Sequence, residues 1–202
     1  MFTHLCYAFA RVTLDYEVEP FEWNDVVGWD ASQGMYNRFH AHVRAQNPAI
    51  QTLISLGGWN FGSTIFSPMS MSTAHRKTFI ASAIAFCREH GFDGVDIDWE
   101  YPGAAEKDYY AALLSEFRAA LEAEARSTNQ PLLLLTVAVP AGEAQINAGY
   151  DVATVAAAVD WIGVMYSNFD MLLDHFSRIS QPRLTPHVSC ATLYLVPMLT
   201  GC

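Results

Sequence analysis

The chain has 202 residues, 51% of them hydrophobic, with 11 Lys and Arg against 21 Asp and Glu and a formal charge of −10. That length and apolar content suit one globular domain with a core of its own and exclude a disordered chain. The acidic balance argues against nucleic acid and anionic membranes as partners and leaves a neutral partner easier to accommodate.

In chain order, Met1 leads directly into "THLCYAFA" at 3–10, a strand-like run. Neither a basic n-region nor a cleavage site precedes it, so no signal peptide is recognisable and the chain reads as beginning in mid-structure. A weak helical pattern over 32–46, stopped by Pro48, carries His40 and His42. An i, i+2 pair diverges on a helix, so a solvated face is expected there rather than a metal site. The strand-like "IQTLISL" at 50–56 runs into "LGGWNFG". From 72 to 90, Ser72 can cap a helix, Phe79, Ile80, Ala83, Ile84 and Cys87 form its apolar stripe, and Gly91 sits where it should end. A second helix over 106–126 repeats this with Tyr110, Leu113, Leu114, Phe117 and Leu121. Strand-like "LLLLTVAV" at 132–139, a weak helix at 151–159 and strand-like "WIGVMY" at 161–166 follow. The longest apolar runs, 131–140 and 193–199, are too short to span a bilayer. Cys6, Cys87, Cys190 and Cys202 show no CxxC spacing, and Cys6 and Cys87 lie in apolar patterns, which predicts buried free thiols. No cofactor or metal is expected.

Between the first long helix and the second lies "FDGVDIDWEYPG", Phe92 to Gly103, with four acids and no Lys or Arg. Val95, Ile97 and Trp99 alternate with Asp96, Asp98 and Glu100, so in a strand the three acids share one face. Carboxyls at that spacing repel and burial penalises each charge, so at neutral pH at least one should hold a proton. Asp93, beside Gly94, reads as a loop or helix cap. Doubly buried strands separated by amphipathic helices predict an α/β fold with a parallel sheet. An open doubly wound sheet that binds a dinucleotide needs GxGxxG, which Gly57, Gly58 and Gly62 do not give. A (β/α)8 barrel is favoured, because the strand ends supply polar and aromatic residues suited to a sugar: Trp59 and Asn60, Glu100 and Tyr101, and Met165 to Asn168. By residue type alone Trp59 could be core or cleft.

"SLGGWNFG" at 55–62, "FDGVDIDWEYPG" at 92–103 and "AVPAG" at 138–142 together resemble glycoside hydrolase family 18, the chitinases of animal type. "THLCYAFA" and "FEWND" at 21–25 are similar to that family's second barrel strand and the loop after it, so the likeness covers about Phe2 to Asn168. The resemblance implies a (β/α)8 barrel that retains configuration at the anomeric carbon of β-1,4-linked N-acetylglucosamine. In that family the substrate's own acetamido oxygen replaces an enzyme nucleophile. It implies Glu100 as proton donor, Asp98 as the group that orients the acetamido, and Asp96 as its inner partner. The neighbouring carboxylates should favour the protonated state of Glu100. Glu22, Trp23, Gly57, Gly58, Trp59, Asn60, Tyr101, Met165, Tyr166 and Asn168 would line the sugar cleft. It also implies an extracellular protein.

The chain departs from that pattern. Where the family has Met-x-Tyr-Asp-Phe on its sixth strand, this sequence reads Met165-Tyr166-Ser167-Asn168-Phe169, and on either alignment the grip on the acetamido group is impaired. The first strand, which should precede Phe2, is missing, and 171–202 carries no motif of the seventh and eighth, so a partial barrel of five recognisable strands is expected over 1–170, with an unassigned tail. Such a fragment should self-associate through open barrel edges unless the tail covers them, and its inner face should be partly uncovered. The alternatives to an active chitinase are an endo-β-N-acetylglucosaminidase acting on N-glycans, against which "EWND" and "GGWNFG" favour chitin, a lectin-like protein that binds chitin or its oligosaccharides without cleaving them, and an inert fragment. Intact Asp96, Asp98 and Glu100 favour the glycosidase, since members that only bind usually lose the donor.

Overall fold

The computed structural model describes residues 2–28 and 33–165, together with the backbone of 194–195. Its centre is a curved sheet in the order β2-β1-β3-β4-β5-β6. Here β1 is His4–Val12, β2 Val18–Pro20, β3 Gln51–Gly57, β4 Gly94–Asp98, β5 Leu134–Pro140 and β6 Trp161–Met165. All neighbours along β1-β3-β4-β5-β6 are parallel, and β2 folds back antiparallel on β1. Parallel neighbours need crossovers, and helices supply most of them: α1 (Met35–Gln46), α2 (Phe66–Met71) with α3 (Thr73–His90), α4 (Lys107–Thr128), and α5 (Glu143–Gly149) with α6 (Val152–Ala158).

The two long helices form where the periodicity predicts. Ser72 caps α3 by accepting from His75 N, and Gly91 closes it in the left-handed conformation at φ 74°. Their apolar stripes bury Phe79, Ile80, Leu113, Leu114, Phe117 and Leu121 against Val95, Ile97, Leu135 and Val137 on the outer face of the sheet. Each such side chain contributes roughly 1.5–3 kcal/mol of burial. Arg76–Glu116 and Arg88–Glu124 tie α3 to α4, at 2.6 and 2.7 Å.

The other face is the inside of a curved sheet. Register places Ala8, Ser55, Asp96, Thr136 and Trp161 in one row across five strands. Ala8, Ser55, Asp96 and Thr136 are all buried, so the inner face of β1 to β5 is not left uncovered as the strand count suggested. Part of the reason is curvature: the rings of His4 on β1 and Trp161 on β6 meet at 4.4 Å between centroids, although these strands lie four places apart in the sheet. The outer edge of β1 is also occupied. β2 pairs with Ala10–Val12, and β7 (Tyr194–Leu195) lies parallel to Cys6 and Tyr7. β6 pairs with β5 alone among the described residues.

One further sequence expectation needs correction. His40 does not lie on a solvated face: it is buried, with Nε2 donating to the His90 carbonyl and Nδ1 against the Thr52 hydroxyl. The cause is that α1 turns this side chain towards the starts of β3 and β4. The short elements β2, α2 and α5 are additions, too brief to show a period. Cys6 and Cys87 are buried free thiols, as expected, whereas Cys190 and Cys202 lie outside the described residues.

Candidate functional site

At the carboxyl ends of the strands is a cavity of about 500 Å³. Glu22, Gly57, Gly58, Trp59, Asn60 and Glu100 line it, so six of the residues named from the sequence come together there from three loops. Trp59 is 73% exposed and lies on the cavity wall, so it is not part of the core. Trp23 is 61% exposed on the Glu22 loop but is not part of the cavity wall, and neither are Tyr101 and Met165. Tyr166 and Asn168 lie outside the described residues. Tyr7, Ala8, Phe9, Phe21, Asp25 and Phe61 line the wall without having been singled out. For Phe9 no sequence signal was available, because a register shift between Ala8 and Ala10 interrupts the alternation of β1 just there.

Gly57 and Gly58 explain why this loop reads "GG". Both have positive φ, 118° and 87°, and a Cβ on Gly57 would collide with the Asp98 carbonyl. A Cβ on Gly58 would lie 2.8 Å from the ring of Phe9. Only glycine lets the turn approach the acidic strand so closely, and the Gly58 amide uses that approach to donate to the Asp98 carbonyl at 2.8 Å.

Behind the cavity the acids form the row that the alternation predicts. Asp96 lies deepest, accepting from Ser55 Oγ at 2.8 Å and from Thr136 Oγ1 at 2.6 Å. Two hydroxyl donors suit an acceptor-only carboxylate. Asp98, the next acid on that face, is buried, and its Oδ1 has no hydrogen-bond partner among the described residues. Burial, then the charges of Asp96 and Glu100, push its carboxyl up to about 8. At neutral pH the proton expected somewhere in the row therefore sits on Asp98. Glu100 follows at the half-buried cavity wall. Beside it the Tyr101 phenol is pushed up to about 12 by burial and by the Glu100 and Asp98 carboxyls, so it stays a proton donor.

On the other side of the cavity Asp25 is buried, accepting from the Tyr7 hydroxyl at 2.7 Å and from the Glu22 amide at 2.8 Å. This fixes the loop that presents Glu22. Asp93 has the structural role expected of it. Its Oδ2 accepts from Thr52 N, Thr52 Oγ1 and Arg44 Nη2, which fastens the starts of β3 and β4 to α1. The described residues contain no group of three or more His, Cys, Asp or Glu able to hold a metal ion, and no described helix is long and apolar enough to cross a membrane.

A row of acids at the carboxyl end of a parallel, inwardly curved sheet, faced by exposed aromatics, is where a fold of the α/β-barrel class places its site. The chain belongs to glycosyl hydrolases family 18, whose sequence model matches residues 1–189. It is 45% identical over 168 residues to a probable endochitinase of Caenorhabditis elegans, covering 83% of this chain and 27% of that protein. Among solved structures it is similar to an immunomodulatory active chitinase from Trichuris suis, at 36% identity and a TM-score of 0.76, over 81% of this chain and 42% of the other. It is also similar to human YKL-39, described as a pseudo-chitinase with retained chitooligosaccharide binding properties, at 32% identity and a TM-score of 0.72, over 81% and 42%. The chain thus spans less than half the length of these relatives.

Proposed function

We propose that the chain carries the acid-bearing part of a chitinase and acts on β-1,4-linked N-acetylglucosamine with retention of configuration. The observation that carries this reading is the row of three acids on one face of the sheet, with buried Asp96 and Asp98 behind a Glu100 that lines the cavity. Glu100 gives its proton to the glycosidic oxygen as the bond to the anomeric carbon breaks and its electron pair leaves with that oxygen. The acetamido oxygen of the same sugar bonds to the anomeric carbon from the opposite face, forming a cyclic oxazolinium ion. Asp98 orients the acetamido group and balances the positive charge, and Asp96 takes its share of the Asp98 proton. Water then attacks the anomeric carbon, returning a proton to Glu100 and restoring the acetamido group. Trp59 and Trp23 offer aromatic faces to the apolar C–H faces of the sugar rings, with Glu22, Asn60 and Tyr101 at the hydroxyl edges. Gly57 and Gly58 shape the floor, and Met165, Tyr166 and Asn168 complete the grip on the acetamido group. The protein is read as extracellular, as a partial barrel over 1–170 with a separate tail, and as able to associate through the open edge of β6.

A second reading, oligosaccharide binding without cleavage, is favoured by the similarity to YKL-39. Glu100→Gln separates the two. The amide keeps the shape of the acid and has no proton to give, so hydrolysis of a fluorogenic N-acetylglucosamine oligomer should fall by at least about 100-fold. Oligomer binding, followed by tryptophan fluorescence, should change little. Turnover retained in the variant removes Glu100 as donor; binding without turnover, in this chain and also in a folded chain with the missing strands supplied, selects the second reading.

A further inference from the structure

The turn that carries Trp59 grips the acidic segment on both sides of Glu100. Before Glu100, the Gly58 amide donates to the Asp98 carbonyl at 2.8 Å. Beyond it, Ser63 bridges two groups: its Oγ accepts from Trp99 Nε1 at 2.8 Å and donates to the Tyr101 carbonyl at 3.3 Å. Between these ends the turn is closed on itself, with the Phe61 amide donating to the Gly58 carbonyl at 3.0 Å. Trp99 is fully buried and stacked on Phe66, 5.4 Å between centroids and 15° between planes, so the indole N–H that meets Ser63 is fixed by packing. A separate fastening lies further on, where Glu106 accepts from Ser67 Oγ at 2.9 Å and from the Gly103 amide at 3.0 Å. That second bridge holds α2 to the acidic loop without Ser63, so loss of the Ser63 hydroxyl should leave the fold standing.

We propose that Ser63 is a positioning residue that joins the Trp59 turn and the Glu100 segment into one mechanical unit, so that a sugar ring seated on Trp59 also sets the placement of the acid. This rests on reading Trp59 as a sugar platform and Glu100 as the acid. A hydroxyl is suited to the task because it accepts and donates at once, linking the indole N–H to the carbonyl. The residue lies outside the acidic motif and is not one of those lining the cavity, which is why motif spacing does not reveal it.

The test uses the full 202-residue chain, labelled with 15N, and follows the indole N–H signals of Trp59 and Trp99 while an N-acetylglucosamine tetramer is added. In the wild-type chain the exposed Trp59 and the buried Trp99 should respond with the same midpoint. In Ser63→Ala the Trp59 response should persist and the Trp99 response should be at least about fivefold smaller, and Ser63→Thr, which keeps the hydroxyl, should restore it. An undiminished Trp99 response in Ser63→Ala overturns the proposal. If the tetramer moves neither indole in the wild-type chain, the sugar reading fails, and the coupling is read from Trp59→Ala instead. That change should shift the Trp99 signal when Ser63 is present and not in the Ser63→Ala background; no shift with Ser63 present overturns the coupling as well. Should Ser63→Ala not fold, Ser63→Cys takes its place.

Discussion

Asp98 shows how a single residue links site chemistry to stability. An aspartate ionises at about 3.9 in an unfolded chain, whereas burial and the neighbouring Asp96 and Glu100 raise this one to about 8 in the fold. Between those values the folded state holds a proton that the unfolded state has lost, so this group makes stability fall as pH rises from about 4 to about 8. His40 acts oppositely over part of the range. Burial first, and then Arg44, lower it from 6.5 to about 4, so it adds stability as pH rises through that interval. Above pH 6.5 the Asp98 contribution is free of that opposition. Asp98→Asn should therefore flatten the decline in melting temperature between pH 6.5 and 8 and melt several degrees above wild type at pH 8.5, as followed by circular dichroism. Equal slopes in the two proteins would place the shared proton on another acid. The alternation in "VDIDWE" was enough to put the three acids on one face. It could not say which of them keeps the proton, because the hydroxyls that meet Asp96 come from Ser55 and Thr136, 41 and 40 residues away.

Among the elements, those legible in the sequence are the ones long enough to repeat. The eighteen residues of α3 and twenty-two of α4 carry a stripe, a start and a stop, whereas the three residues of β2 and six of α2 carry no period at all. What locks the elements together was less visible still. Asp93 could be read as a cap beside Gly94, but its partners Thr52 and Arg44 belong to β3 and α1, and only the parallel register brings them within reach. His40 is hidden from the sequence for the same reason, since a buried partner on another strand turns a polar helix position inward. Asp93→Ala should leave the fully buried Thr52 amide without its acceptor. That should cost about 1–3 kcal/mol. In urea unfolding the midpoint should fall while the slope with denaturant stays the same. A midpoint equal to wild type would show that water replaces the carboxylate without loss.

At the scale of the whole molecule, the two edges of the curved sheet differ. β1 is covered by β2 and by β7, but β6 has only β5 as a partner among the described residues, and Val164 on it is 57% exposed. A parallel edge with no second strand partner among the described residues, carrying an apolar side chain, is a template for another copy of the chain. The chain should therefore associate reversibly at micromolar to millimolar concentration. Val164→Lys, which puts a charge on that strand without touching the cavity, should weaken association by about tenfold or more in sedimentation equilibrium. Activity belongs to the same argument, because a glycosidase of this class positions its substrate from several strand ends, and good positioning contributes about 7–11 kcal/mol to lowering a barrier. The chain spans 42% of the length of the Trichuris suis chitinase it resembles. On a fluorogenic N-acetylglucosamine oligomer it should therefore turn over weakly or not at all. A chimera with a first strand before Met1, a "TYDFHG" continuation after Met165, and seventh and eighth strands should recover turnover if Asp96, Asp98 and Glu100 are correctly presented. A native chain that is both monomeric and fully active would show that residues 166–193 and 196–202 already complete the barrel. A folded but inactive chimera would put the fault among the acids and the glycine turn themselves.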